Sequence, residues 1–238
     1  MLSRRSSPLV LLALGLLVFF SVYATASAQT REYLIVSGGP ALRKWEDLRA
    51  PGTQHDRWWG NFIRPARVRI EQIQKQEPGA MITWLVYRNA FVTRSSEDNR
   101  ALTPLVESVR DKYGVRLMWF DSGTQLINYI NEGQPRSRVK ICNFEYYGHS
   151  NKYCFMFDYS NAVYGVSKSW LHEKDLSRIR PSSFTRDAFC KSWGCHTAES
   201  MSQVWRSKIG LPLIGAHGKT DFSDPLNVTL SPGGRWSS

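Results

Sequence analysis

Short apolar runs alternate with segments of helical periodicity along most of the chain, and this alternation constrains the fold more than any other feature. Six runs have the length and composition of buried strands: residues 32–37, 81–87, 115–120, 139–147, 187–194 and 211–215. Four segments carry apolar residues at helical spacing: residues 57–76, 99–113, 124–131 and 197–209. Parallel strands need crossover connections, which helices supply. The sequence therefore predicts an α/β fold, a three-layer α/β/α sandwich with a mostly parallel sheet.

The rest of the chain is consistent with a single domain. Residues 153–158 fit a small antiparallel return, and residues 169–179 fit a connecting helix or turn. No internal repeat or change in composition divides the sequence. The predicted domain therefore covers residues 29–223. Residues 224–238 are rich in Pro, Gly and Ser, and the sequence predicts a loose tail there.

The first 28 residues have the pattern of a signal peptide. Arg4 and Arg5 precede an apolar run over residues 9–22, and Ala26-Ser27-Ala28 supplies the small residues before a cleavage point. An uncleaved membrane anchor is the alternative, but the run is short for a bilayer span. The arginine pair also suggests a twin-arginine signal, which lacks its usual apolar residues here. We expect a secreted or periplasmic protein with no later membrane span.

The basic charge of the chain bears on its partners. The formal net charge is +11, and loss of Arg4 and Arg5 with the signal would lower it by two. A basic balance favours anionic surfaces, nucleic acid or acidic substrates. The basic residues are scattered, however, and the nearest thing to a patch is Arg64, Arg67 and Arg69. Because an exported protein also rarely meets nucleic acid, we predict no nucleic-acid partner.

Four cysteines follow the predicted signal: Cys142, Cys154, Cys190 and Cys195. Four are too few for a disulfide framework in a chain of this length. A Cys142–Cys190 bridge between neighbouring strands and a pair of buried free thiols remain equally open. A zinc site from Cys142, His149, Cys190 and Cys195 lacks the short spacing of structural zinc ligands, so we predict no metal.

His149 and Cys195 stand directly after the fourth and fifth predicted strands. Catalytic groups of open parallel sheets lie beyond the carboxyl ends of the strands. If these two strands are neighbours, the two side chains emerge together, as a nucleophile and its base require. Each residue alone is more often a loop histidine or a small buried thiol. The pair in this setting makes His149 the candidate base and Cys195 the candidate nucleophile.

The surroundings of Cys195 predict a reactive thiol. Thr197 fits the N-cap of the following helix, and Glu199 lies in its first turn. The positive end of a helix dipole and a protonated His149 would each lower the pKa of the Cys195 thiol. Three backbone N–H groups near the pair are candidates for an oxyanion hole: those of Gly148, Ser150 and Cys195.

Residues 192–222 (SWGCHTAESMSQVWRSKIGLPLIGAHGKTDF) resemble the catalytic-cysteine region of caspase-like peptidases, the clan of caspases, legumains, gingipains, clostripain and separase. The matching residues are Cys195-His196-Thr197-Ala198 and Leu213-Ile214-Gly215-Ala216. Upstream, the clan's strand-end histidine motif is similar to Tyr147-Gly148-His149-Ser150, and its linking segment is similar to residues 169–176 (SWLHEKDL). The Cys-x-Thr pattern resembles a subgroup of exported bacterial caspase-like domains. The resemblance covers residues 139–222.

The resemblance implies a caspase/haemoglobinase-like fold and an exported cysteine endopeptidase. Such an enzyme would cleave a polypeptide through an acyl-enzyme, with His149 as base, Cys195 as nucleophile and no cofactor. Related enzymes select the residue before the cut with a charged pocket. Three aspartates fall at strand exits on the presumed active side: Asp121, Asp158 and Asp221. One of them would line a pocket for a basic residue, while the alternative, which we favour for each one alone, is a loop cap.

The motifs depart from the clan at three positions. Ser150 and Ala198 stand where glycine is usual, and His196 beside the nucleophile is uncommon. A catalytically degenerate domain that acts as a binding or interaction module is therefore the alternative function, and a structural domain with Cys195 in a bridge is the third. We interpret His196 as a surface residue, with a second base as the alternative. His217 is a candidate for lining the cleft.

Overall fold

A computed structural model of the chain describes residues 30–51, 54, 56–159, 168–224 and 226–238, apart from the side chain of Trp45. The predicted signal peptide lies outside these residues. The described strands are, in chain order, β1 (Thr30–Ser37), β2 (Met81–Tyr87), β3 (Arg116–Phe120), β4 (Val139–Tyr147), β5 (His149–Ser150), β6 (Cys154–Met156), β7 (Trp170–His172), β8 (Phe184–Ser192), β9 (Leu213–His217), β10 (Thr220–Asp221), β11 (Thr229–Leu230) and β12 (Arg235–Ser237). Seven of them form one sheet in the order β12-β9-β8-β4-β1-β2-β3.

Helices flank this sheet. The described helices are α1 (Arg43–Asp47), α2 (Ile63–Gln76), α3 (Arg88–Glu97), α4 (Thr103–Tyr113), α5 (Gly123–Glu132) and α6 (Met201–Ile209). One buried apolar cluster joins the sheet to α5 and α6 and includes Phe144 and Trp205. A second cluster joins it to α2 and α4 and includes Trp84 and Ile70. The prediction of an α/β fold with a mostly parallel sheet is confirmed.

The strand register determines where the candidate residues emerge. β1, β2, β3, β4, β8 and β9 run parallel, and β4 lies between β1 and β8. Ser37 at the end of β1 pairs with Tyr147, and Tyr146 pairs with Ser192 at the end of β8. The expected neighbours, the strands before His149 and Cys195, are thus adjacent. The segments after β1, β4 and β8 therefore all begin at the carboxyl ends of these strands, at the same end of the sheet.

Several predicted boundaries were wrong. The helix predicted over residues 57–76 begins at Ile63, and Pro65 falls in its first turn, where its missing N–H has no helical partner to lose. The helix predicted over residues 99–113 begins at Thr103. The sequence did not predict α3 at all, because Arg94 takes one of its three buried positions in place of an apolar residue.

The prediction of a loose tail over residues 224–238 was also wrong. β12 pairs antiparallel with β9 and becomes an edge strand of the main sheet. Trp236 anchors it, since its ring packs edge-on against Trp193 with centroids 5.4 Å apart. Two small sheets lie beside the main one, β5-β6-β7 and β10-β11, so the antiparallel return expected at residues 153–158 is present.

The cysteines and the membrane prediction can be placed on this fold. All four cysteines are free thiols, with Cys142 and Cys190 buried on adjacent strands without a bridge. The buried-thiol alternative is therefore the one observed. Among the described residues, no helix combines the length and the apolar character needed to cross a membrane.

Candidate active site

The turns after β4 and β8 pack directly against each other. The Ser150 hydroxyl donates a hydrogen bond to the Cys195 carbonyl oxygen at 2.7 Å. A Cβ on Gly194 would lie 2.2 Å from Ser150 Oγ and 2.9 Å from the Gly148 carbonyl oxygen, so glycine is required at this contact. The turn that contains His149 and the turn that contains Cys195 are therefore held together as one unit. The three N–H groups predicted to form an oxyanion hole belong to this unit, and that role stays a prediction.

The position of His149 is fixed through its backbone and through two contacts of its ring. The buried Tyr146 hydroxyl donates to the His149 carbonyl oxygen at 2.7 Å, which holds the turn in place. The imidazole packs edge-on against Phe62, with ring centroids 4.9 Å apart, and at a tilt of 36° against Tyr159, with centroids 4.8 Å apart. Its side chain is 13% exposed. A histidine held this way has little freedom to rotate, as a general base requires.

Asp56 is a partner of His149 to which the sequence analysis assigned no role. His149 Nε2 lies 2.7 Å from Asp56 Oδ2, and the carboxylate is 1% exposed. The Ala41 N–H donates to the same oxygen at 2.5 Å, and Asn61 Nδ2 donates to Oδ1 at 2.8 Å. A carboxylate only accepts hydrogen bonds, so Nε2 is the protonated nitrogen of the neutral ring. Nδ1 is then the acceptor nitrogen and the one able to take a proton.

The loop that carries Asp56 is held by a buried arginine on α3. Arg94 has a fully buried side chain and donates to the carbonyl oxygens of Ala41, Asp56 and Arg57. It also pairs with Asp98 at 3.2 Å. Asp56 lies in the loop after β1, and the sequence carries no motif around it. Nothing in its own pattern points to His149, because the link runs through tertiary contacts of α3.

Cys195 is partly buried and contacts the segment after β9. Its Sγ accepts the Thr220 N–H at 3.4 Å and lies 3.4 Å from Thr220 Oγ1. The predicted helix N-terminus beside it is absent. Residues Thr197–Glu199 form a short 3₁₀ turn, and α6 begins only at Met201 after a break at Ser200. The expectation that Thr197 caps a helix was therefore wrong, because His196 in a left-handed conformation (φ 61°) turns the chain into the 3₁₀ segment.

Two other histidines near Cys195 have partners of their own. His196 Nδ1 lies 2.7 Å from Glu199 Oε1, which also accepts the Gly218 N–H at 3.0 Å. These contacts, that of His196 first, lower the pKa of the Glu199 carboxyl. His217 Nε2 lies 2.9 Å from Ser237 Oγ on β12. His196 is about one third exposed, which fits the surface interpretation.

The three aspartates proposed for a substrate pocket are not together. Asp121 follows β3, at the far edge of the sheet from β8. Asp158 is buried and accepts the Tyr87 hydroxyl at 3.1 Å; burial first, and Asp158 second, raise the pKa of Tyr87 to about 12. Asp221 is exposed and directly follows Thr220, whose Oγ1 lies 3.4 Å from Cys195 Sγ.

Comparisons with known proteins found no match to this chain. No protein-family model matches the chain, and no curated protein and no solved structure matches it significantly. Within the part of the chain that the structure describes, no group of three or more His, Cys, Asp or Glu side chains is arranged to hold a metal ion.

Proposed function

We propose that this chain is an exported cysteine endopeptidase of the caspase-like type, with a three-layer α/β/α fold. The observation that carries the proposal is the pairing of His149 with Asp56, at a turn that is hydrogen-bonded to the Cys195 turn. A candidate base, a group that orients it and a free thiol then belong to neighbouring segments at the carboxyl ends of parallel strands. This is the general arrangement of nucleophilic catalysis. The order β1-β4-β8-β9, with an antiparallel strand at the edge, supports the fold assignment.

Each group would take part in a defined step. His149 Nδ1 accepts the thiol proton, and Cys195 Sγ attacks the carbonyl carbon of the scissile peptide bond. Asp56 stabilises the imidazolium that forms. N–H groups of the joined turns bind the oxyanion, and the imidazolium then gives its proton to the leaving amine. Water, deprotonated by the same nitrogen, hydrolyses the thioester and releases the thiol. No step requires a cofactor.

Incubation of the full chain with a peptide library tests this proposal. Mass spectrometry would identify the cleaved products of the wild type and of the Cys195→Ala and His149→Ala variants. We expect no cleavage above background for Cys195→Ala and a loss of about 10²- to 10⁴-fold for His149→Ala, the usual contribution of a general base. Cys154→Ala removes a partly buried thiol on β6 and is the matched control, which should cleave like the wild type.

Site-resolved alkylation with iodoacetamide completes the test without a known substrate. Cys195 should react faster than Cys154 at neutral pH, because burial raises the pKa of Cys154 to about 11, and His149→Ala should slow Cys195. Equal rates at the two cysteines, together with no cleavage that depends on Cys195, would contradict the peptidase. A binding module would then be the better account of the fold.

A further inference from the structure

The segment after β9 is held against Cys195 from two sides. The His196 N–H donates to the Gly218 carbonyl oxygen at 2.8 Å, and the Ser231 N–H donates to that of Lys219 at 3.0 Å. Thr220 pairs with Leu230 in the β10–β11 ladder. Two groups of Thr220, its N–H and its hydroxyl, consequently face Cys195 Sγ at 3.4 Å each.

The chemistry of these contacts differs between a thiol and a thiolate. The backbone N–H of Thr220 can only donate, while its hydroxyl can donate or accept. A neutral thiol is only a weak donor and a weak acceptor in these contacts, whereas a thiolate accepts both hydrogen bonds as an ionised acceptor. Hydrogen bonds to an ionised acceptor are stronger than neutral ones. The pair of donors therefore favours the ionised sulfur.

We propose that Thr220 is a catalytic residue that stabilises the thiolate form of Cys195 through its N–H and its hydroxyl. Thr220 on β10 thus takes the role in ionising Cys195 that the sequence predicted for a helix N-terminus. The use of the thiolate rests on the proposed peptidase function. The stabilisation of the thiolate by Thr220 does not rest on the peptidase function, because it can be measured in the absence of a substrate.

Other titratable groups around Cys195 must be held constant in any test. They include Tyr146 and Tyr147 at the end of β4, Cys190 and Lys191 at the end of β8, Asp56 and His149, Lys152 and Cys154, His196 and Glu199, and His217, Lys219 and Asp221 around Thr220. Burial raises the pKa of Tyr146 well above its ordinary value, so that hydroxyl stays neutral. A change confined to the Thr220 hydroxyl leaves all of these groups in place.

The test is the rate of alkylation of Cys195 in the full chain as a function of pH, with iodoacetamide as the probe. Thr220→Val removes the hydroxyl and keeps the N–H and the shape. We expect the midpoint of its profile to rise by about one pH unit, and the rate at neutral pH to fall about tenfold. Thr220→Ser should keep the wild-type midpoint. Thr229→Val, an exposed threonine in the same hairpin, should also match the wild type.

Two results would overturn the proposal. An unchanged midpoint in Thr220→Val would show that the hydroxyl does not bear on ionisation, and a faster reaction at neutral pH would show that Thr220 obstructs the sulfur. Thr220→Ala is a second hydroxyl deletion if the valine variant does not fold, as judged by circular dichroism. His149→Ala in the same assay separates the two proposals: if it leaves the rate unchanged while Thr220→Val slows it, the dyad is wrong and the role of Thr220 stands.

Discussion

Two buried carboxylates, one at each end of the central strands, have very different partners. Glu32 near the start of β1 accepts hydrogen bonds from Thr83 Oγ1 at 2.7 Å, Tyr129 Oη at 2.6 Å and Arg136 at 2.5 Å. Asp56, in the loop after β1, accepts the Ala41 N–H and an amide hydrogen of Asn61, and it pairs with His149. Both carboxylates are almost completely buried.

The difference lies in what each partner can do near neutral pH. Arg136 stays charged at any ordinary pH. Burial, and then the charge of Glu32, raises the pKa of Tyr129 to about 12. Neither Arg136 nor Tyr129 therefore exchanges a proton near neutrality. The partner of Asp56 is an imidazole, whose ordinary pKa lies close to neutrality. One end of the sheet is thus built for stability, and the other contains a group that can transfer protons.

The largest effect should come from breaking the cluster at the start of β1. Glu32→Ala leaves Arg136, which is only 8% exposed, without its carboxylate, and breaking a buried pair in this way costs about 3–5 kcal/mol. Urea unfolding would measure the loss. Glu132→Ala removes a carboxylate from an exposed pair with Arg180 and should cost less than about 1 kcal/mol. Equal losses in the two variants would show that burial does not distinguish the clusters.

Substitution of Asp56 should reduce peptide cleavage more than it reduces stability. Asp56→Asn keeps the shape but can donate to Nε2, which favours the wrong tautomer of His149, so we expect peptide cleavage to fall by about 100-fold or more. The loss of stability should stay below the loss for Glu32→Ala, since Asn61 keeps its acceptor and only the Ala41 N–H loses one, with no buried charge left unpaired. Initial cleavage rates of Asp56→Asn, and urea unfolding of Asp56→Asn and Glu32→Ala, would check this. Glu32→Gln is the counterpart at the other end, and a loss of activity there as large as for Asp56→Asn would remove the functional contrast.

The sequence predicted more of the main sheet than of the site. The six predicted strands were identified correctly because each is an apolar run long enough to mark a buried strand. The carboxyl ends of β4 and β8 then bring His149 and Cys195 to neighbouring turns. β12 was missed because three residues, one of them Trp236, make too short a signal. Asp56 and Thr220 could not be assigned, since their positions depend on Arg94 and on the β10–β11 hairpin, which are tertiary contacts without a local pattern.

A third buried carboxylate has an intermediate environment. Glu145 on β4 accepts hydrogen bonds from Arg69 at 2.6 Å, Trp193 at 2.9 Å and Tyr147 at 3.1 Å. Lys191, its register partner on β8, instead places its ammonium 3.4 Å from the centroid of the Trp193 ring. The ring of Trp236 on β12 lies 4.2 Å from the same group. An ammonium between two indole rings is favoured by cation–π attraction but has lost water.

The smallest expected effect is a pH dependence of stability due to Lys191. Burial lowers the pKa of Lys191 to about 8, although Glu145 acts to raise it. Between pH 8 and the unfolded value of about 10.4, the unfolded chain keeps a proton that the folded chain has released. Unfolded protein then binds more protons, so this residue makes the folded state more stable as the pH rises.

Lys191→Met isolates this effect, because the other groups that titrate in this range are present in both proteins. The free energy of unfolding of the wild type should rise by about 1 kcal/mol relative to the variant between pH 7.5 and 10, a value reduced because Lys191 is only half-buried. Lys208→Met, which removes an exposed lysine of α6, should show no such rise. A flat difference for Lys191→Met would mean that its ammonium stays hydrated in solution. The indole pair would then not hold the charge, and β12 would be attached by its ladder with β9 and by Trp236 packing, with no contribution from Lys191.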